Sequence, residues 1–177
     1  MRRALVVVDM QNDFVDEKVL GNKECQAVIP KIKNKIEEGN YDVLYITQDT
    51  HDENYLNTQE GKNLPVPHCL LETKGWEIVD EIKKSLKKVH ESKEVILITK
   101  DRFGSTTLAK LISLGNFDEV EFVGICTGIC VISNVLVTKT MAPEVKIIVD
   151  SDCCACVTKE SHETALNAMK ACQVEII

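Results

Sequence analysis

The sequence predicts a three-layer α/β/α protein built on an open, mainly parallel sheet of about six strands. Three observations point there. Ala4-Leu5-Val6-Val7-Val8 is a continuous apolar, β-branched run, the pattern of a strand buried on both faces. Four further strand-like runs alternate with segments whose apolar residues recur at spacings of three and four, the mark of helices packed by one face. Several of the runs also end at a chemically capable residue: Asp9, Lys100 and Asp150.

The elements follow in order. After the first strand, Gly21 or Asn22 starts a helix carrying Val28, Ile29, Ile32 and Ile36 and ending near Gly39-Asn40. The second strand is Tyr41 to Thr47, with Asp49 and His51 just past its end. Residues 53–74 are polar and aperiodic, with Gly61, Pro65 and Pro67, and read as a long loop of the kind that often carries function. A helix over 76–89 shows a stripe of Val79, Ile82, Leu86 and Val89, with its lysines on a solvated face.

Val95 to Thr99 is the third strand, and Ser105 or Thr106 caps the helix after it. Glu119 to Ile125 is the fourth, running through Gly124 into a helix that starts around Cys126-Thr127-Gly128-Ile129-Cys130. Val145 to Val149 is the fifth, a helix spans about 158–171, and a short strand near Val174-Glu175-Ile176 ends the chain.

At 177 residues and 44% hydrophobic, the chain has the size of one domain, residues 1–177. Its formal charge of -7 argues against nucleic acid as a partner, since a phosphate backbone is held by excess Lys and Arg. No apolar run approaches the roughly 20 residues that span a bilayer. Met1-Arg2-Arg3 leads straight into a strand with no signal-peptide core, so the eight cysteines are expected as reduced thiols in the cytoplasm.

In open α/β sheets ligands bind at the carboxyl ends of the strands, near the point where strand order reverses. Those ends offer Asp9, Asp49 with His51, Lys100, and Cys130. With Thr127 as N-cap, Cys130 lies in the first helical turn, where free N–H groups and the positive helix end favour a thiolate and an oxyanion. The alternative for Cys130 and Cys126 is an inert buried thiol. Asp9 and Lys100 read either as a structural ion pair or as a base and a cation serving that thiol.

Asp49 and His51 alternate along extended chain and point the same way, and His68 can return from the loop to complete a three-ligand metal site; a solvated loop histidine is the alternative. His90 and His162 read as ordinary helix-surface residues. Cys153, Cys154 and Cys156 lack the paired spacing of a structural zinc site and read as packing cysteines around a turn.

Together these residues resemble the isochorismatase-like cysteine hydrolases, and the nicotinamidase branch most closely. The resemblance rests on Val6-Val7-Val8-Asp9-Met10-Gln11-Asn12-Asp13-Phe14, Asp49-x-His51, Pro67-His68-Cys69, Lys100, Gly124-x-x-Thr127-x-x-Cys130-Val131, Asp150, and His162-Glu163-x-x-Ala165-Leu166. It covers nearly the whole chain. It implies an isochorismatase-like hydrolase fold, a Cys130–Asp9–Lys100 triad, a divalent metal (zinc, iron or manganese) on Asp49, His51 and His68, and a cis peptide at Ile125-Cys126. The N–H groups of Cys126 and Cys130 would then face the oxyanion. It further implies a small amide substrate and self-association.

The chain departs from the branch at Thr50 and at Leu64-Pro65-Val66-Pro67, where nicotinamidases carry tryptophan, and at Asp16-Glu17-Lys18 in place of a Gly-rich turn. The resemblance therefore leaves the substrate open: an N-carbamoyl or ureido compound handled without metal is one alternative. A non-catalytic binding protein or a thiol or metal carrier using Cys153, Cys154 and Cys156 is another. Vinyl-ether hydrolysis is disfavoured because it does not rely on a cysteine nucleophile.

Overall fold

The structure, a computed structural model, describes all 177 residues. Its sheet has six strands: β1 Arg3–Val8, β2 Val43–Asp49, β3 Glu94–Lys100, β4 Glu119–Ile125, β5 Lys146–Ala155 and β6 Glu175–Ile176. Their order is β3-β2-β1-β4-β5-β6, and every pairing is parallel. The chain thus winds outward from β1 in one direction and from β4 in the other. The crevice between those two strands is where a ligand is expected in such a sheet.

Alternation along β1 divides the core in two. Ala4, Val6 and Val8 join Phe122 and pack under Leu108, Ile112, Val135 and Met169 of the helices α5 (Thr106–Leu114), α6 (Ile132–Met141) and α7 (Lys159–Ala171). Leu5 and Val7 join Val123 and Ile125 on the other face, under Ile32, Ile36, Ile82 and Leu86 of α2 (Ile29–Glu38) and α4 (Asp80–Val89). Full burial of each such side chain contributes about 1.5–3 kcal/mol. At the centre, Gly124 adopts φ +124, and a Cβ there would meet the Val8 carbonyl oxygen at 2.2 Å. Only glycine lets β1 and β4 end this close together.

Four elements differ from the sequence reading. The first helix is two, α1 (Lys23–Ala27) and α2, separated at Val28 because Pro30 lies in the first turn of α2. Residues 53–74 hold a 3-10 turn, Tyr55–Asn57, and the short helix α3, Gln59–Asn63, whose N-cap Thr58 accepts from the Gly61 N–H. Helix α4 begins at Asp80, since Ile78 bridges Gln11 and the Val79 N–H donates to the Met10 carbonyl.

Strand β5 continues to Ala155, so Cys153 and Cys154 lie in a strand and not around a turn. Pairing with β4 breaks after Phe122↔Val149 and resumes at Gly124↔Cys154. Cys153 then packs into one core and Cys154 into the other, so the thiols of the 153–156 run diverge.

One buried ion network braces the α2 side. Glu121, with 3% of its side chain exposed, meets Lys35 Nζ and accepts from Tyr41 Oη at 2.7 Å, and Lys35 Nζ also lies 2.6 Å from Asp150. Lys35→Met leaves Glu121 without its nearest cation and is expected to cost about 3 kcal/mol by urea unfolding. Burial opposes charge on Lys35, but Asp150 and Glu121 outweigh it and raise its pKa, while burial and Glu121 raise Tyr41. Both groups hold their protons more tightly when folded. Their contribution is therefore complete below about pH 10 and is lost as pH rises further, and unfolding at pH 8 and at pH 11 should show the loss in wild type and only the Tyr41 share of it in Lys35→Met.

Candidate active site

The polar residues that follow β1 pin down the segment carrying His68. Gln11 clamps Asp49, its Oε1 accepting from the Asp49 N–H at 2.7 Å and its Nε2 donating to the Asp49 carbonyl at 2.8 Å. Asn12 Nδ2 donates to the Lys74 carbonyl at 2.7 Å, and Asp13 Oδ2 accepts from the Cys69 N–H at 2.7 Å. The long loop over residues 53–74 is thus held at both ends of its last third.

Asp9, Lys100 and Cys130 meet at the crevice between β1 and β4. Asp9 sits one residue past its strand at φ 49, a left-handed conformation that Asp tolerates better than most residues and that turns its side chain across the strand end. Its Oδ1 accepts from Thr47 Oγ1 at 2.6 Å, and its Oδ2 lies 2.7 Å from Lys100 Nζ. Lys100 Nζ is also 3.1 Å from Asp49 Oδ1 and 3.8 Å from Cys130 Sγ. All three residues are buried.

The electrostatics differ from the sequence expectation. Burial and then the Asp9 charge push the Cys130 thiol well up, against the pull of Lys100, so the resting sulfur holds its proton. Burial also raises Asp9 despite Lys100, which makes it a stronger base. Burial would strip Lys100 of its proton, but Asp9, Cys130 and Asp49 hold it charged well above the usual lysine range. The cluster is poised for proton transfer rather than holding a ready-made thiolate.

The turn that presents Cys130 is also different. The Ile125-Cys126 peptide is cis. Cys126, not Thr127, is the N-cap of a wide helical turn over Thr127–Val131. Its carbonyl accepts from Ile129 N at 3.1 Å and Val131 N at 3.0 Å, passing over the Cys130 N–H between them. The Thr127 hydroxyl instead bonds His162 Nδ1 at 2.8 Å. His162, bland on its helix in sequence, ties α7 to the turn.

Beside this cluster, His51 Nε2 and His68 Nε2 lie 3.0 and 3.5 Å from Asp49 Oδ2, and each lies 3.6 Å from Glu60 Oε1. The four ligand atoms fall within 4.8 Å of one another. Glu60 was not foreseen. It stands on α3, and the usable signal was an acid between the two histidines just after the helix cap Thr58.

Two imidazole nitrogens and two carboxylate oxygens converging in a buried site fit a divalent cation. His68 Nδ1 lies 2.8 Å from the Val66 carbonyl, a bond that leaves Nε2 free to ligate. Burial works to raise Asp49, yet His51, His68 and Lys100 hold it well below the usual carboxylate range. Burial and Asp49 push Glu60 up.

Both clusters open into one cavity of about 380 Å³. Asp49, Glu60, His68 and Cys130 contribute its reactive groups, Val19, Leu20, Leu64, Ile129 and Val157 line it with aliphatic surface, and Phe14 and Phe103 add two rings. The aromatic residues absent at positions 50 and 64–67 are thus partly replaced from other segments. Trp76 does not enter this cavity; its Nε1 donates to Thr50 Oγ1 at 2.9 Å, and it lines a separate concavity outside β3.

A doubly wound parallel sheet with a buried acid, a lysine and a cysteine gathered at its switch point defines an α/β protein with a candidate site at the carboxyl ends of its strands. The chain belongs to the isochorismatase family, whose Isochorismatase domain matches residues 3–177. No curated protein matches it in sequence.

Among solved structures it is similar to the pyrazinamidase/nicotinamidase of Streptococcus mutans, with 24% identity, 99% of each chain covered and a TM-score of 0.83. It is also similar to the nicotinamidase of Staphylococcus aureus, with 26% identity, 99% of each chain covered and a TM-score of 0.78. A third is the pyrazinamidase of Pyrococcus horikoshii in complex with zinc, with 25% identity, 100% of this chain and 99% of that one covered, and a TM-score of 0.78. No helix is long and apolar enough to cross a membrane.

Proposed function

We propose that this protein is a cysteine amidohydrolase that cleaves the linear C–N bond of a small amide through a thioester on Cys130. The observation that carries this reading is Lys100 Nζ, 2.7 Å from Asp9 Oδ2 and 3.8 Å from Cys130 Sγ, at a cavity of about 380 Å³. Asp9 takes the thiol proton as the sulfur attacks the carbonyl carbon. Lys100 offsets the charge that Asp9 and Cys130 share.

The oxyanion faces the N–H groups of Cys126 and Cys130, a role supported by the wide turn that leaves the Cys126 carbonyl bonded on either side of Cys130. When the intermediate collapses, the C–N bond breaks and Asp9 returns its proton to the leaving nitrogen. Asp9 then removes a proton from water as it attacks the thioester, and the acid is released with Cys130 reprotonated. Asp49, His51, His68 and Glu60 would hold a divalent metal, zinc being the first choice with iron or manganese suited to the same donors. When bound, such an ion would supply Lewis acidity to the site.

The aromatic contacts from Phe14 and Phe103, and the nicotinamidases and pyrazinamidases among its structural relatives, make heteroaromatic amides the first substrates to test. Purified protein should release ammonia from at least one of nicotinamide, pyrazinamide, or a panel of small aliphatic and carbamoyl amides. It should also carry near-stoichiometric divalent metal, lost with Asp49→Ala and on chelation. Ammonia from none of these compounds, with metal restored, would rule the reading out.

A further inference from the structure

A second thiol site lies behind the Cys130 turn. β4 and β5 end paired at Ile125 and Ala155, and the residue just past each strand end is a cysteine, Cys126 and Cys156. The paired strand ends lie about 4.8 Å apart, so the two cysteines leave the sheet as neighbours, and a disulfide spans Cα separations of roughly 4.4–6.8 Å. The Cys156 sulfur accepts from Ser161 Oγ at 3.2 Å and from the Gly128 N–H at 3.4 Å. A Cβ on Gly128 would come within 3.2 Å of that sulfur, a tight contact that glycine avoids.

These donors stabilise a thiolate. The Cys126 thiol is the largest influence, and with Ser161 and Gly128 it overcomes burial to bring Cys156 down to about 5. The Cys126 thiol also faces Cys25, but it has one proton to donate. Cys156, with two further donors, is the better anion. Cys156 borders a separate cavity of about 390 Å³ beside Val28, Thr158 and His162, whereas Cys126 borders the Cys130 cavity.

We propose that Cys126 and Cys156 form a hydroperoxide-responsive disulfide pair, with Cys156 as the attacking thiolate and Cys126 as the resolving thiol. The Cys156 sulfur attacks one oxygen of hydrogen peroxide, the O–O bond breaks, and with one proton taken up a water leaves and a sulfenic acid remains. The Cys126 sulfur then attacks that sulfur, the S–O bond breaks, and the Cys126 proton leaves with the oxygen as a second water. Two thiols lose two electrons and the peroxide gains them. The resulting bond would join a wall of the Cys130 cavity to the start of α7, tying the cavity's shape to the oxidation state of the pair.

The test is a thiol map, which needs no substrate and stands whether or not the amidase reading holds. Reduced protein is treated with stoichiometric hydrogen peroxide near neutral pH, its remaining thiols are blocked with N-ethylmaleimide, and unreduced peptides are sequenced by mass spectrometry. A Cys126–Cys156 linked peptide is expected, with the eight free thiols falling by two and restored by dithiothreitol. Cys156→Ser should abolish the link and Cys130→Ala should keep it. Cys126 and Cys156 fully labelled by maleimide while other cysteines oxidise would overturn the proposal, as would Cys126 linked to Cys25 in the wild-type protein. The wild-type map decides even where a variant fails to fold.

Discussion

Cys130→Ala is expected to lower turnover of an amide substrate by about 10⁴-fold or more while the protein stays folded. The side chain is small and buried, and its sulfur is the proposed nucleophile beside Lys100 Nζ. On the proposed mechanism no thioester can then form, and what remains is the weak catalysis of an oriented water. Two measurements check this together: the rate of ammonia release, and the mass of enzyme quenched during turnover, which should show an acyl adduct in the wild type alone. Turnover kept in the variant would sink the nucleophile assignment. Because burial raises Asp9, the acidic limb of the wild-type kcat/KM profile should lie above the ordinary aspartate range, since the base works only when deprotonated.

Lys100→Met should be the most destabilising single change in the site, by about 3–5 kcal/mol in metal-free protein. Nζ lies 2.7 Å from Asp9 and 3.1 Å from Asp49, and both carboxylates are almost wholly shielded from water. Removing the cation leaves two buried negative charges facing each other with one neutralising partner fewer. Urea unfolding in the presence of chelator measures the loss. The double variant Lys100→Met/Asp9→Asn should recover part of it by removing one of the stranded charges. A loss below about 1 kcal/mol, the range of an exposed ion pair, would show that the lysine is not needed to hold the cluster together.

The fold was legible because a parallel sheet writes itself in short apolar runs, and each run ends where the chemistry begins. Asp9, Asp49 and Lys100 could be placed from position alone, since a polar residue at the end of a buried strand has few places to go. Glu60 could not, because it reaches the site from a five-residue helix too short to show periodicity. The break at Val28 was hidden for a similar reason: the apolar spacing runs through it, and only Pro30 marks the interruption. The Cys130 thiol was misjudged electrostatically. The helix start that favours a thiolate is visible in sequence, but the burial and the facing Asp9 charge that oppose it arise only in three dimensions.

The interrupted ladder between β4 and β5 gives the sheet two independent alignments. Below Phe122 the strands pair at one offset, and above Gly124 they pair at another, three residues further along β5. Had the lower offset continued, Ile125 would pair with Asp152, and Cys153 in place of Cys156 would follow the last pair. The number of residues in that short interruption therefore selects both which sulfur stands nearest the Cys130 turn and which residues of β5 enter the two cores, so chain length at one point of a strand couples the hydrophobic interior to the neighbourhood of the candidate site.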